Sequence, residues 1–359
     1  MKRLYPILFC IAVVCLLACK TKQKKEPQEK VIQITDMAGR SINVPAHITS
    51  VFGADLTTTF MLQALAPEML AAWNVNPPSS EKDFLTKEMK KLPELGMIFY
   101  GRSTVNIEDL ARLKPDIILC PLFQHTTPAY ISDYEEYGKK TGAAVVMVAL
   151  DFERLPEAFR FLGNLLGKEP KANKLAEYCR ETLDWAALFR SQIRDTVSVY
   201  VAEGLSGLQT IPAGSTHSQI FDIAGVRNCA IIDEDFGYKD ISINIEQVLT
   251  WNPDYIIVNS RRANQTGNNV VLSKIREDKS WQMLGAVKNN HILVVPTSPK
   301  NWIGRPPGIN RLLGIRWLVA SIYPEIVQID IQKEVSRFCN LFYHVSPSPE
   351  QINKILNEN

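Results

Sequence analysis

Catalytic signatures are scarce in this 359-residue chain. It has no His-Glu-x-x-His, no Gly-x-Ser-x-Gly and no Gly-x-x-x-x-Gly-Lys-Ser/Thr; Gly163…Gly167-Lys168-Glu169 has the wrong spacing and no hydroxyl. That removes the usual sequence marks of a zinc peptidase, a serine esterase and a P-loop nucleotide site. Histidine is rare, with five in all, and no His and carboxylates cluster at metal-ligand spacing. Seven cysteines occur without a single CxxC pair, which argues against a metal cluster and a thioredoxin-type site. Charge of one sign is lacking too. Forty Lys and Arg against 38 Asp and Glu leave a formal charge of +2, and nothing marks a nucleic-acid surface.

What is present begins with an export signal. Lys2 and Arg3 precede a stretch, Leu4 to Leu17, that is apolar apart from Tyr5 and Pro6 and too short for a comfortable membrane span. It ends in Leu16-Leu17-Ala18-Cys19, which resembles the lipobox of bacterial lipoproteins. That resemblance implies cleavage after residue 18 and a lipid on Cys19. Residues 19–30 then read as a polar tether with five Lys and two Glu. Loss of Lys2 and Arg3 brings the charge to zero and the tether carries +3, so the folded part is near −3. Cys10 and Cys15 leave with the signal; Cys120, Cys179, Cys229 and Cys339 remain, and their spacing does not choose among three possible pairings.

The remaining chain alternates strand-like and helical segments, the grammar of a mostly parallel sheet. Val31 to Pro45 reads as a hairpin around Asp36-Met37-Ala38-Gly39. Strands are expected at Ile48–Phe52, Met69–Val75, Asp116–Pro121 and Ala143–Leu150, and helices at Leu56–Leu65, Glu108–Leu113 and Tyr130–Lys140. The second half repeats this, with strands at Val197–Ala202, Asp254–Asn259 and Ile292–Pro296. Its helices are expected at His217–Ala224, Ile245–Thr250, Leu272–Met283, Pro307–Ile322 and Ile331–Phe342. Between the halves, Phe152 to Ile193 is purely helical and is split by Gly167-Lys168-Glu169-Pro170.

One pattern occurs twice, 138 residues apart. Asn106-Ile107-Glu108 leads to Pro115-Asp116 and an apolar run; Asn244-Ile245-Glu246 leads at the same offset to Pro253-Asp254 and another. Asn caps a helix, Glu sits in its first turn, and Pro-Asp stops it before a buried strand. The division that follows is a signal peptide at 1–18, the tether at 19–30, an N-terminal lobe at 31–151, a helical spine at 152–193, a C-terminal lobe at 194–345 and a tail at 346–359. The fold class is α/β, two Rossmann-like lobes with parallel-type sheets joined by a long spine helix, with a ligand cleft between them.

Asp36-Met37-Ala38-Gly39-Arg40 with Val44-Pro45, Leu92-Pro93-Glu94-Leu95-Gly96 and the two Asn/Ile/Glu…Pro-Asp units stand in an order that is similar to one known family. From roughly Thr35 to Tyr323 the chain resembles the helical-spine substrate-binding proteins of ABC importers, which capture ferric siderophores, haem, cobalamin and related metal chelates. The resemblance implies a binding protein with no catalytic activity and no cofactor, whose cargo is a metal chelate. It further implies that Glu108 and Glu246, one per lobe, dock onto the ABC permease and its ATPase, and that the lipid on Cys19 holds the chain at the periplasmic face of the inner membrane. An exported metal-dependent hydrolase and a surface lipoprotein of an outer-membrane uptake system are the alternatives.

Ligands of open α/β sheets bind beyond the carboxyl ends of the strands. That rule selects Trp73, His125 after Pro121, the Glu203-to-His217 loop after Ala202, Arg261-Arg262 after Ser260, and Trp302 to Pro307, with Arg305, after Pro296; Tyr100 and Arg102 precede the first repeat. Tyr100, Trp73 and Trp302 suit apolar walls, and Arg102, Arg261, Arg262 and Arg305 suit carboxylates or phosphates. Glu203 opens a glycine-rich loop. No metal ligand is directly assigned, although His125 and His217, one per lobe, are the candidates for contact with a bound metal.

Overall fold

A computed structural model describes residues 30–99, 103–232, 241–259, 265–304 and 307–356 of the chain. It opens with the expected hairpin, β1 (Val31–Thr35) antiparallel to β2 (Ser41–Pro45). The Asp36 carboxylate accepts from Ala38 N and Arg40 N, so it closes its own turn, and also from Met147 N of the neighbouring sheet. Arg40 donates to the Val145 carbonyl and pairs with Glu135. The Asp-x-x-x-Arg motif thus fastens the hairpin to the first lobe.

That lobe contains β3 (Val51–Gly53), α1 (Leu56–Leu65), α2 (Ile107–Leu113), β4 (Ile117–Leu122), α3 (Pro128–Thr141) and β5 (Ala144–Ala149). Its strands are parallel in the order β3-β4-β5. The strand expected at Met69–Val75 shrinks to isolated bridges, Leu70 to Val51 and Trp73 to Glu94. A 3-10 turn at Pro67–Met69 uses up its start, and Trp73 pairs away from the sheet.

The spine is α4 (Leu155–Leu166) followed by α5 (Glu169–Arg190). Gly167 caps α4 in the left-handed region at φ 65°, and Pro170 lies in the first turn of α5. At 1.5 Å per residue, the 22 residues of α5 span roughly 33 Å. The two helices pack so closely that a Cβ on Gly163 would lie 2.3 Å from that of Ala172.

The second lobe holds β6 (Ser198–Ala202), β7 (Gln209–Thr210), α6 (Gln219–Ile223), β8 (Arg227–Asn228), β9 (Ile241–Ser242), α7 (Ile245–Trp251), β10 (Tyr255–Val258), α8 (Gln265–Glu277), α9 (Gly285–Lys288), β11 (Ile292–Val294) and α10 (Arg311–Ile322). Its sheet is parallel in the order β8-β6-β10-β11. The single Leu70 bridge, β3, β4 and β5 of the first lobe occupy the same places as β8, β6, β10 and β11 here. The helix expected at Leu272–Met283 instead ends at Glu277. Asp278 turns the chain by accepting from Ser280 N, and only a 3-10 turn, Trp281–Met283, follows.

The chain then returns to the first lobe. After α11 (Ile331–Phe338) and a wide turn at Cys339–Tyr343, Tyr343 meets Phe84 edge-on, and α12 (Pro349–Leu356) buries Ile352 and Ile355 in what reads from sequence as a tail. One apolar core runs from the first lobe through the spine into the second, and two smaller ones lie against the other sheet faces. Cys120, Cys179, Cys229 and Cys339 are buried free thiols, each held protonated by burial.

Candidate functional site

The two repeated units have the same build. Asn106 accepts from Glu108 N and Asp109 N at the start of α2, and Asn244 from Gln247 N at the start of α7. Lys114 and Asn252 end the helices in the left-handed region, at φ 49° and 43°. Asp116 Oδ2 then accepts from Thr49 N, Ser50 N and Thr49 Oγ1, which ties the new strand to the start of β3. Asp254 Oδ2 does the same at β6, accepting from Ser198 N and Ser198 Oγ. Each unit leaves one glutamate, Glu108 or Glu246, exposed on the first turn of its helix.

At the carboxyl ends of the strands each lobe carries a polar network. In the first, Asp55 caps α1 and is fully buried; burial raises its carboxyl, while the Thr58 amide and the hydroxyls of Thr57 and Thr58 donate to it. Thr59 donates to Asn74 Oδ1, and Asn74 Nδ2 reaches the carbonyls of Gly53 and Gly96. A Cβ on Gly53 would fall 2.3 Å from Thr59 Oγ1, so only glycine lets α1 start this close. In the second lobe, Asn259 Nδ2 donates to Glu203 Oε1 at 2.7 Å, Asn301 Nδ2 donates to Asn259 Oδ1 at 2.7 Å, and the Ile303 and Gly304 amides donate to Asn301 Oδ1. This chain links the ends of β6 and β10 to the loop after β11.

The lobes meet over a narrow recess with only about 10 Å³ of water-accessible space. Thr57 and Met61 of α1 form one side, Phe152 and Leu155 the base, and Pro307 to Arg311 the other side. Arg311 is 3% exposed. Its Nη2 donates to the Thr216 carbonyl at 3.1 Å and its guanidinium lies 4.3 Å from the Phe152 ring centre. Burial pushes this group downward, but a guanidinium stays cationic at neutral pH. A bridge between the lobes joins Lys300 to Glu81, with Lys300 Nζ 4.6 Å above the Phe60 ring.

The residues selected from sequence fall in different places. Glu203 lies in the second network, and His217 is half-buried beside Thr216, the residue that holds Arg311. His125 is exposed in the turn before α3. Trp73 and Trp302 are core residues: their indole N–H groups donate to the carbonyls of Met89 and Ser298, and their rings are spent on packing. Cys19, Tyr100, Arg102, Arg261, Arg262 and Arg305 lie outside the described residues. Sequence reasoning misses Thr57, Asn259, Asn301 and Arg311. Arg311 did carry a signal, a cation in the first turn of a largely apolar helix, where the helix dipole opposes it. Among the described residues no three His, Cys, Asp or Glu side chains come together as a metal site, and no helix is long and apolar enough to cross a membrane.

Comparison with known proteins agrees with this architecture. The model of a family described as periplasmic binding protein matches residues 54–299. The molybdate-binding protein MolA of Haemophilus influenzae is 27% identical over 339 residues, covering 88% of this chain and 92% of that protein. An uncharacterised ABC transporter substrate-binding lipoprotein of Bacillus subtilis, YvrC, is 20% identical over 331 residues, 88% of this chain and 95% of that one. The solved ABC transporter solute-binding protein of Sulfurospirillum deleyianum superposes with a TM-score of 0.80 at 28% identity, covering 90% of this chain and 98% of that one.

Proposed function

The chain belongs to the periplasmic binding protein family, a family of substrate-binding transport proteins rather than enzymes, and from that premise we propose that it is the lipid-anchored receptor of an ABC importer for a metal chelate or metal oxyanion. The cargo is an iron or other metal chelate of siderophore, haem or cobalamin type, or a metal oxyanion of the kind that the name of the Haemophilus relative specifies. The ligand is bound in the cleft and handed on unchanged, and it is cargo rather than a cofactor. Family membership removes the hydrolase alternative.

The observation that carries the docking part is the pair of exposed glutamates on equivalent helices of the two lobes. A permease that contacts both carboxylates with cationic pockets reads the separation of the lobes, and exposed charge pairs speed encounter more than they add affinity. Glu108 and Glu246 also favour their own helices through the dipole, and this does not conflict with docking. The lipid on Cys19 keeps the receptor beside its permease, at the periplasmic face of the inner membrane.

The test is uptake by cells carrying Glu108→Ala with Glu246→Ala. Uptake is expected to fall by at least about tenfold while ligand affinity of the purified protein is unchanged, because rim charges act on association with the partner. Undiminished uptake would refute the docking assignment and favour a surface receptor that works without an ABC permease.

A further inference from the structure

The two lobes treat their outermost strands differently. In the first lobe the edge is β5, and the N-terminal hairpin takes up its outward backbone groups. Met147 N donates to Asp36 Oδ2, Met37 N donates to the Met147 carbonyl, Arg40 donates to the Val145 carbonyl, and Ala149 N reaches Met37 Sδ. In the second lobe β11 holds the equivalent place. Ile256 N donates to the His291 carbonyl, and Val295 N donates to that of Val258. Leu293 therefore faces β10, while the N–H and C=O groups of Ile292 and Val294 face outward. Among the described residues nothing pairs with them.

A groove with about 310 Å³ of water-accessible space runs along this edge. Leu272 and Arg276 of α8 form one wall, and Trp317 of α10 forms the other. Leu272 packs with Ile292 and Val294 in one core and Trp317 with Leu293 in another, so the walls stand on opposite faces of the sheet. Arg276 is exposed, and among the described residues its guanidinium has neither a carboxylate nor an acceptor; Lys274 is already paired with Asp278. In the first lobe the helix before the edge strand, α3, presents Glu135, which pairs with Arg40 of the covering hairpin. The second lobe reverses the sign on that helix.

We propose that the edge of β11 is a strand-addition site for an extended acidic segment of a partner polypeptide, whose main chain pairs with Ile292 and Val294 and whose carboxylate meets Arg276. Main-chain pairing at a sheet edge supplies affinity, and pockets for alternate side chains supply specificity. α8 carries the chain from the end of β10 back to the start of β11, so it runs against the strands and places Arg276 toward Ile292 and Leu272 toward Val294. Side chains alternate along a strand. The partner thus turns a carboxylate and, two residues away, an apolar side chain toward α8, with the residue between them against Trp317. Asp36-Met37, the segment that covers β5, has the same ingredients: a carboxylate, a main-chain donor and an apolar side chain. The groove lies on the flank of the second lobe and not at the carboxyl ends of its strands, so the proposal goes beyond the cargo reading and does not depend on it.

The test is fluorescence anisotropy of the purified full-length chain in detergent with a labelled, amidated peptide, Ser-Leu-Thr-Glu-Thr-Leu-Ser, which places an apolar residue two positions from the carboxylate in either direction. Saturable binding below about 100 μM is expected. Replacing the peptide's Glu by Lys is expected to weaken binding by about tenfold, and Arg276→Glu in the protein should reverse that preference. Arg276 is exposed, so the variant tests recognition and not folding. N-methylating the Leu and Glu amides, or instead the two Thr amides, separates the two faces of the peptide's main chain. One set is expected to abolish binding and the other to leave it within about threefold, since only every second N–H points at the edge. No binding, equal binding of the Lys peptide, an unchanged preference in Arg276→Glu, or tolerance of both methylation sets would each overturn the site. Sedimentation supplies a further check: a dimer that the peptide dissociates would assign the edge to a second copy of this chain and overturn the partner proposal. A chain that binds cargo and not the peptide loses this site and keeps its proposed function.

Discussion

Glu81→Gln is the substitution with the most direct consequence for how the lobes are held together. Glu81 lies in a 3-10 turn of the first lobe, Ser79–Phe84, and Lys300 in the loop after β11 of the second. Their side chains are 13% and 15% exposed, and burial raises the Glu81 carboxyl and lowers the Lys300 ammonium. Removing one member strands the other charge above the Phe60 ring. Breaking a buried pair costs ~3–5 kcal/mol, and the residual exposure here puts the expected loss near ~3 kcal/mol. At ~2 °C per kcal/mol for a chain of this size, the melting temperature falls by about 6 °C. Calorimetry on wild type, Glu81→Gln, Lys300→Met and the double variant completes the cycle. The double variant is expected to recover to within ~1 kcal/mol of wild type, because neutral replacement of both partners removes the cost of burying charge along with the attraction. A Glu81→Gln melting temperature within about 1 °C of wild type would show that the pair adds nothing between the lobes, and would refute the reasoning.

Three further outcomes follow from the geometry. Gly314→Ala is expected to cost at least ~3 kcal/mol by urea unfolding, because its Cβ would lie 2.0 Å from the Trp302 carbonyl oxygen and α10 would have to move. Asp116→Ala and Asp254→Ala should each cost ~2–3 kcal/mol, by equal amounts within error, since each carboxylate accepts several bonds from the start of a neighbouring strand; a neutral result in one lobe would end their equivalence. Burial pushes Lys171 down to about 8. A lowered folded value means that the stability it contributes is complete above its unfolded value near 10.5 and is lost as pH falls through about 8. Lys171→Met should therefore exceed wild type in melting temperature at pH 7, and the gap should close by pH 10.5; a gap independent of pH would contradict the assignment.

Much of the fold is legible because its determinants are local. Asn106 and Asn244 cap, Glu108 and Glu246 follow in the first turn, and Pro-Asp stops both helices, so α2 and α7 can be read from a few residues each. Gly167 and Pro170 likewise mark the break between α4 and α5. Expectation fails where pairing is long-range. Met69–Val75 has a strand's composition, but its neighbours supply only single bridges at Leu70 and Trp73. Trp73 and Trp302 look like ligand walls because they follow strands, and the apolar neighbours that bury them lie far away in sequence. Arg311 is the converse. Its significance is the lack, among the described residues, of an acidic partner, which no spacing along the chain can express.

The most direct test of the central claim is a tryptophan-fluorescence titration of the purified full-length chain with molybdate, ferric citrate, ferric catecholates and hydroxamates, haemin, cobalamin and nickel chelates, followed by mass analysis of the recovered ligand. Saturable binding of one class at submicromolar concentration, with the ligand returned unchanged, is the result expected of an importer's receptor. Conversion of the ligand, or no binding across the panel, would contradict it.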